Sequence, residues 1–434
     1  MDNDDNRQVV ILGAGMAGLG AGIQAQKMGL SSLILEKEDY VGGLFSNHSI
    51  MGCDFDYGPK ILVETPNSKE IVEYMGANCE RYDHDERVYL SEHGLLGFPL
   101  QRNLYQLPEL EREKILSSFL SSNDGEAEGT VNNFEEWLRF NYGDYFSESF
   151  LIPYEKKKWL VDLTEMDYQW AEKRHLKVDR EELIAGSQGE LPGYRWYFYP
   201  KTGNVTEVVK ALLPHAGPIQ TERPVSNIDL DKKLVTAGGI EYPYDILINT
   251  MPMDYLSTIA APFPEELKLK GDQGLKRLSI LIFNLVFEGN YDLDGTAIYF
   301  SEEEFIFRRV TVLENLCPAL SRKGLTPITV EVSVKDIDQI DKEKVLNKVL
   351  IDLKKMKQFS VMGDPVATGT LDVNFAYPLQ TRELSTIVDD MQSHLKKYDV
   401  FNAGRGGTFN YCDGDLAYSQ GKAAVTEAFA SAEA

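Results

Sequence analysis

The stretch from Gln8 to Gly43 constrains the fold more than any other. An apolar run, Val9-Val10-Ile11-Leu12, enters Gly13-Ala14-Gly15-Met16-Ala17-Gly18; a helix-like segment follows to Met28, and a second apolar run, Leu33-Ile34-Leu35, ends at Glu36. Glycines at this spacing between a strand and a helix predict a dinucleotide-binding βαβ unit. Gly13 permits the tight turn, Gly15 lets backbone N–H groups approach a pyrophosphate at the helix N-terminus, and Gly18 lets helix and strand pack closely. Glu36 is expected to accept hydrogen bonds from both hydroxyls of an adenosine ribose and to repel the extra phosphate of NADP. The segment Lys37-Glu38-Asp39-Tyr40-Val41-Gly42-Gly43 reads as a charged turn closing on a glycine pair, which brings a second stretch of backbone to the same pyrophosphate. Ala17, Lys37 and Leu44 join the expected cofactor contacts.

Charge narrows the partners. The 434 residues carry 44 Lys+Arg against 68 Asp+Glu, a formal charge of -24. Such a surface repels nucleic acid and anionic membranes, so an anionic small molecule must meet a local cluster of Arg and Lys. No apolar run is long enough to span a bilayer, and Met-Asp-Asn-Asp-Asp-Asn-Arg lacks the regions of a signal peptide. Cys53, Cys79, Cys317 and Cys412 lie far apart with no metal-ligand spacing and read as reduced core thiols, so the expected location is cytoplasmic and no metal is expected.

The rest of the chain reads as a nucleotide-binding domain interrupted by insertions: residues 1–75, 200–262 and 396–434 for the nucleotide domain, 104–195 for a helical insertion, and 76–103 with 263–395 for a sheet-based substrate domain. Trp137, Phe140, Phe146, Phe150 and Trp159 supply the helical core, interrupted by the polar loop 121–129. Alternating or apolar runs across 278–334 predict one extended sheet, and 341–359 an amphipathic helix with Val345, Val349, Leu353 and Met356 on one face. Near the C-terminus, Val400-Phe401-Asn402-Ala403-Gly404-Arg405-Gly406-Gly407 reads as a strand ending in a flexible loop, and a helical run starts at Asp415.

These pieces, in this order, resemble the UDP-galactopyranose mutase and protoporphyrinogen oxidase-like branch of the FAD-dependent amine oxidase superfamily. Beyond the glycine motifs, the resemblance rests on Phe55-Asp56-Tyr57-Gly58-Pro59-Lys60, Gly97-Phe98-Pro99, Pro153-Tyr154 through Trp159, and Tyr199-Pro200-Lys201-Thr202-Gly203. It implies an α/β fold: a Rossmann-type, glutathione-reductase-like FAD-binding domain with an inserted helical domain and an extended antiparallel sheet. It also implies non-covalent FAD. Gly58 and Pro59 would pass the flavin ring, and Gly404, Arg405, Asp413, Leu416 and Ala417 would bring the last helix to the cofactor.

For the mutases the resemblance implies a reduced flavin that attacks the anomeric carbon of a UDP-sugar. Tyr154 and Trp159 match aromatic positions near the uridine, Tyr377 and Tyr411 match tyrosines that approach the diphosphate, and Arg308 or Arg309 lies where a diphosphate-binding arginine is expected. Lys60, Arg308, Arg309, Tyr377 and Tyr411 are therefore the candidate catalytic residues, with Tyr154, Trp159, Lys177 and Trp196 as substrate contacts. For each aromatic, core packing is an equal alternative. Lys60 and Val63 stand where the mutase loop reads His-x-x-His, and Val178 where a second arginine is expected. The substrate is thus a small molecule, a nucleotide-sugar on the mutase reading. The alternative is an oxidoreductase that removes a hydride from an amine, a carbon–carbon bond or a sugar carbon, and a flavin-binding scaffold without catalysis is a third. A homodimer is compatible with all three.

Overall fold

A computed structural model describes residues 7–122, 131–173, 180–191 and 195–432. Lys177 and most of the polar loop 121–129 fall outside them. The apolar run Gln8–Leu12 becomes the middle strand of a five-stranded parallel sheet, flanked by Ser31–Leu35 and Ile246–Asn249, with Ile219–Gln220 and Val400–Asn402 at the edges. Strands buried on both faces need continuous apolar sequence, and Val9, Ile11, Ile34, Leu247 and Ile248 are fully enclosed. Helix Met16–Lys27 follows the glycine loop, and the last helix, Gly414–Ala432, lies against it. Their contact is backbone to backbone: a Cβ on Gly421 would sit 1.9 Å from the Ala17 carbonyl oxygen, and one on Gly20 2.1 Å from that of Tyr418.

The other face of this sheet packs on a four-stranded sheet containing Val225–Asp229 and Leu234–Ala237. A seven-stranded sheet forms the second large layer, in the order Ala367–Pro378, Arg277–Glu288, Leu325–Val334, Arg309–Val312, Ala297–Phe300, Glu86–Leu90 and Gly94–Gly97. It is antiparallel except where Ala297–Phe300 runs parallel to Glu86–Leu90. The helical segments 109–122, 134–142 and 152–159 enclose a core holding Trp137, Phe146, Phe150, Trp159 and Trp170; Phe140 is only half-buried and stands outside it.

Two local expectations need correction. The helix expected over 341–359 stops at Leu353, and Lys357–Ser360 forms a separate turn. Met356 nevertheless reaches the same core as Val349 and Leu353, so the apolar spacing outlasts the helix. Gly404–Gly407 is a helical turn rather than a flexible loop, and the Gly404 N–H donates to the Gln420 Oε1 at 3.0 Å.

Candidate active site

One cleft of about 570 Å³ joins the glycine loop to the seven-stranded sheet. At the first end, Gly15 caps the helix Met16–Lys27 without any side-chain hydrogen bond, which leaves its first N–H groups for an anion. A Cβ on Gly15 would meet nothing within 4 Å, because it would project into the cleft. Gly42 donates its N–H to the Ala14 carbonyl at 2.9 Å and bridges to Gly15, so both glycine segments reach one place. Gly13 has φ +99°, and a Cβ on Gly18 would sit 1.8 Å from the Gly13 oxygen; these two shape the loop from behind. Glu36 is 7% exposed, and its carboxylate accepts from Ala14 N–H at 2.7 Å and Glu38 N–H at 3.0 Å. It therefore ties the glycine loop to the end of the second strand while keeping acceptor capacity for a ribose.

Ala17, Gly42, Leu44, Pro59, Lys60, Gly404, Arg405, Asp413 and Ala417 also line the cleft. Gly43 and Gly58 stand behind its wall, the latter with φ +74° and a virtual Cβ 3.1 Å from Glu331 Oε1. Lys37 instead points to solvent, paired with Glu38 at 2.9 Å, and Leu416 lies exposed on the last helix. The chemistry of this half fits a dinucleotide: uncapped helix N–H groups for the pyrophosphate, a ribose carboxylate, and room where side chains are absent.

At the other end lie Arg309, Tyr377 and Tyr411. Arg309 opens a strand of the seven-stranded sheet, and Arg308 immediately precedes it. Both guanidinium groups converge on one carboxylate. Arg308 Nη2 binds Glu331 Oε2 and donates to Tyr377 Oη at 2.9 Å, while Arg309 Nε donates to Glu331 Oε1 at 2.9 Å. Burial alone would raise the Glu331 carboxyl, but the two guanidinium groups outweigh it and hold it below the usual glutamate range. Burial likewise opposes ionisation of Tyr377, yet Arg308, with Arg309 and Arg405, draws its phenol down to about 8. Lys60 donates to the carbonyls of Tyr57 and Gly58, and burial pulls its ammonium down to about 8 against the opposing pull of Glu331 and Asp56. Buried Asp56 rises to about 7, moderated by the Tyr199 hydroxyl that donates to it at 2.6 Å.

The expected aromatic contacts divide. Tyr377 and Tyr411 meet edge to face at 4.9 Å on the cleft wall. Trp159 is fully buried beneath them, at 5.9 Å from each ring, with its Nε1–H donating to Glu155 at 2.7 Å; it braces the wall and offers no stacking face. Tyr154 is stacked on Phe150 at 5.9 Å and meets the edge of Tyr299, which is itself stacked on Phe98 at 4.3 Å. Trp196 faces away from the cleft, under the Arg81 guanidinium at 3.9 Å and against Phe198.

Sequence reasoning passed over Glu331, Glu86, His84 and Tyr299. Tyr299 Oη donates to Glu86 Oε1 at 2.6 Å, and His84 Nε2 lies 3.4 Å from the same oxygen, all on the cleft wall. Glu331 did leave a signal: it is the lone charge in the buried run Ile328-Thr329-Val330-Glu331-Val332, and a charge in such a run requires a partner.

A family model for the NAD(P)-binding Rossmann-like domain matches residues 11–91. Over 98% of its length the chain superposes on 96% of reduced UDP-galactopyranose mutase, with TM-score 0.89 and 21% identity. It has the fold of UDP-galactopyranose mutase. A protoporphyrinogen oxidase-like protein from Exiguobacterium sp. 255-15 follows at TM-score 0.77 and 16% identity, covering 97% of this chain and 98% of that one. Putrescine oxidase bound to putrescine reaches 0.70 at 16% identity, covering 98% and 99%. In sequence, 4,4'-diapolycopene oxygenase from Methylomonas sp is 34% identical over 20% of this chain and 18% of its own length. Phytoene desaturase from Neurospora crassa is 35% identical over 18% and 13%. The chain thus spans less than a fifth of the curated relatives it matches. Among the described residues no helix is long and apolar enough to cross a membrane, and no cluster of metal-ligating side chains occurs.

The Glu36 geometry carries a prediction. Glu36→Ala removes a carboxylate placed to accept from a ribose and leaves the N–H groups of Ala14 and Glu38 without this partner, so affinity for FAD or ADP-ribose is expected to fall roughly tenfold or more. Equilibrium dialysis against the apoprotein measures this, and an unchanged affinity would remove Glu36 from the ribose.

Proposed function

We propose that this chain is an FAD-dependent enzyme that acts on a nucleotide-sugar through reduced flavin, in glycan or natural-product biosynthesis. The observation that carries the reading is the continuous cleft from an uncapped helix N-terminus to a cationic end in a chain of net charge -24. Arg308, Arg309, Arg405 and Lys60 gather around the one carboxylate of Glu331, with Asp56, Glu86 and Asp413 offsetting part of their charge nearby, and both arginines are already paired. The mutase fold supports the same reading. The glycine loop, Glu36, Gly42 and the start of the last helix would hold FAD, which supplies an electron-rich ring system when reduced. Arg309 would orient the diphosphate, Tyr377 and Tyr411 would flank it, and Lys60 or Tyr377, both ionising near 8, would hold or release a proton.

The alternative is an FAD-dependent oxidoreductase. It is favoured by the ring cluster of Phe98, Tyr154 and Tyr299, where a uracil was expected, and by the short desaturase and oxygenase matches.

An anaerobic titration separates the two. UDP and UDP-galactose should bind, more tightly when the flavin is reduced, and Arg309→Ala should weaken UDP roughly ten- to a hundredfold while flavin content stays the same. Raising the pH through about 8 should also weaken UDP, since Lys60 loses a positive charge and Tyr377 gains a negative one, both unfavourable to an anion. If neither redox state binds a nucleotide diphosphate at about 1 mM, and substrate bleaches the oxidised flavin instead, the oxidoreductase reading replaces this one.

A further inference from the structure

The register of the seven-stranded sheet sets two rows of side chains next to each other at the far end of the cleft. In one row Val88, Tyr299, Arg309 and Glu331 pair in succession across four strands. In the next, Glu86 pairs with Ala297 and Ala297 with Thr311. Rows two residues apart share a face of the sheet and lie roughly 7 Å from each other. Glu86, Ala297, Tyr299, Arg309 and Thr311 all line the cleft, and Ala297 contributes only a methyl group between its two polar neighbours.

Tyr299 stands between the arginine and the carboxylate. The Arg309 guanidinium lies 5.8 Å from the centre of its ring, while its hydroxyl donates to Glu86 Oε1 at 2.6 Å. His84 Nε2 approaches the same oxygen at 3.4 Å. The other oxygen, Glu86 Oε2, receives no hydrogen bond among the described residues and is not shielded from solvent; the side chain as a whole is 17% exposed. A carboxylate this close to an arginine that would hold a diphosphate opposes the anion, and Tyr299 needs only one of its oxygens. The open oxygen calls for a donor from outside the protein. Hydroxyls on the group that a nucleoside diphosphate carries beyond its last phosphate would supply one. Ile61 and Leu316, apolar residues that also line the cleft, would meet its C–H faces. They stand beside the same wall, since Tyr197 donates its hydroxyl to the Leu316 carbonyl at 2.5 Å and meets the His84 ring edge to face at 5.1 Å.

We propose that Glu86 determines which sugar the cleft accepts: its open oxygen takes a hydrogen bond from a hydroxyl of a neutral glycosyl group, and its charge turns away an acidic one. The proposal rests on the nucleotide-sugar reading above and adds the class of sugar to it. A uronate would bring a second carboxylate against Glu86, and like charges placed together in a binding site are a strong means of rejection.

The test is isothermal titration calorimetry on the full-length, flavin-loaded protein, oxidised and reduced, with UDP, UDP-galactose and UDP-galacturonate. The wild type should bind UDP-galactose at least roughly tenfold more tightly than UDP-galacturonate. Glu86→Gln keeps the size of the side chain but removes its charge, so it should bring the two sugars to within about threefold of each other while UDP itself binds as before. Glu86→Asp keeps the charge and should keep the rejection of the uronate. Thermal melts identify a variant that fails to fold, and the wild-type preference alone keeps the proposal open to refutation if Glu86→Gln does. Equal binding of the two sugars by the wild type, a full preference retained in Glu86→Gln, or a loss of UDP affinity in that variant as large as the loss of UDP-galactose affinity would each overturn the proposal and leave the nucleotide-sugar reading standing. Failure of UDP to bind in either redox state would overturn that reading, and this proposal with it.

Discussion

Glu331→Ala is expected to destabilise the protein by about 3–5 kcal/mol, because it strands two buried cations. Glu331 is 2% exposed and holds Arg308 through one carboxylate oxygen and Arg309 through the other. Without it the guanidinium groups of adjacent residues face each other in a poorly hydrated pocket, with Lys60 close by to add repulsion. Glu331→Gln keeps one acceptor oxygen but not the charge, so its loss should be smaller and should identify how much of the effect is electrostatic. The sign with pH is fixed as well. Glu331 titrates below the ordinary glutamate value of 4.5, so its contribution is fully present above that value and is lost as the pH falls through the lower folded value. Urea unfolding of wild type, Glu331→Ala and Glu331→Gln at neutral pH measures the difference. A Glu331→Ala midpoint equal to wild type would mean that the arginines find other partners, and the cationic end would then have no fixed geometry.

What could be read in the sequence, and what could not, follows from the range of the interactions. The glycine loop was legible because Gly13, Gly15 and Gly18 act within one turn of chain, and their roles depend on backbone space that no other residue leaves. The sheet over 278–334 was legible from apolar alternation, since its strands Arg277–Glu288 and Leu325–Val334 pair along their whole length. The convergence on Glu331 was not. It joins residues from neighbouring strands with Tyr377 from a third, and only the register Arg309↔Glu331 makes them neighbours. The aromatics failed for a related reason. Trp159 and Tyr411 read alike as large rings, but a side chain's place in front of the cleft wall or behind it is decided by tertiary packing, which the local sequence does not record. Even so, a lone glutamate amid Ile328, Val330 and Val332 is a local anomaly, and it marks the residue on which the cluster depends.

Gly421→Val is expected to cost about 3 kcal/mol or more and to release FAD, the cofactor proposed above, from a distance. Gly421 lies two turns inside the last helix, where a valine exchanged on an exposed face would change helix propensity by a few tenths of a kcal/mol in the stabilising direction. Packing reverses that sign. A Cβ there would lie 1.9 Å from the Ala17 carbonyl oxygen and 2.9 Å from the Ala21 nitrogen, both backbone atoms of a helix that cannot rotate aside. Valine adds two methyl groups to that contact, so the two helices must separate. These helices begin at Met16 and Gly414, which line the same cleft, and a wider spacing draws helix N–H groups apart where a pyrophosphate would bind. The expected result is a lower melting temperature of the apoprotein together with weaker ADP and FAD binding, though Gly421 itself does not line the cleft. Differential scanning calorimetry and flavin titration on one preparation report both effects. A stable variant with unchanged flavin affinity would show that the close contact of the two helices does not set the width of the cofactor site.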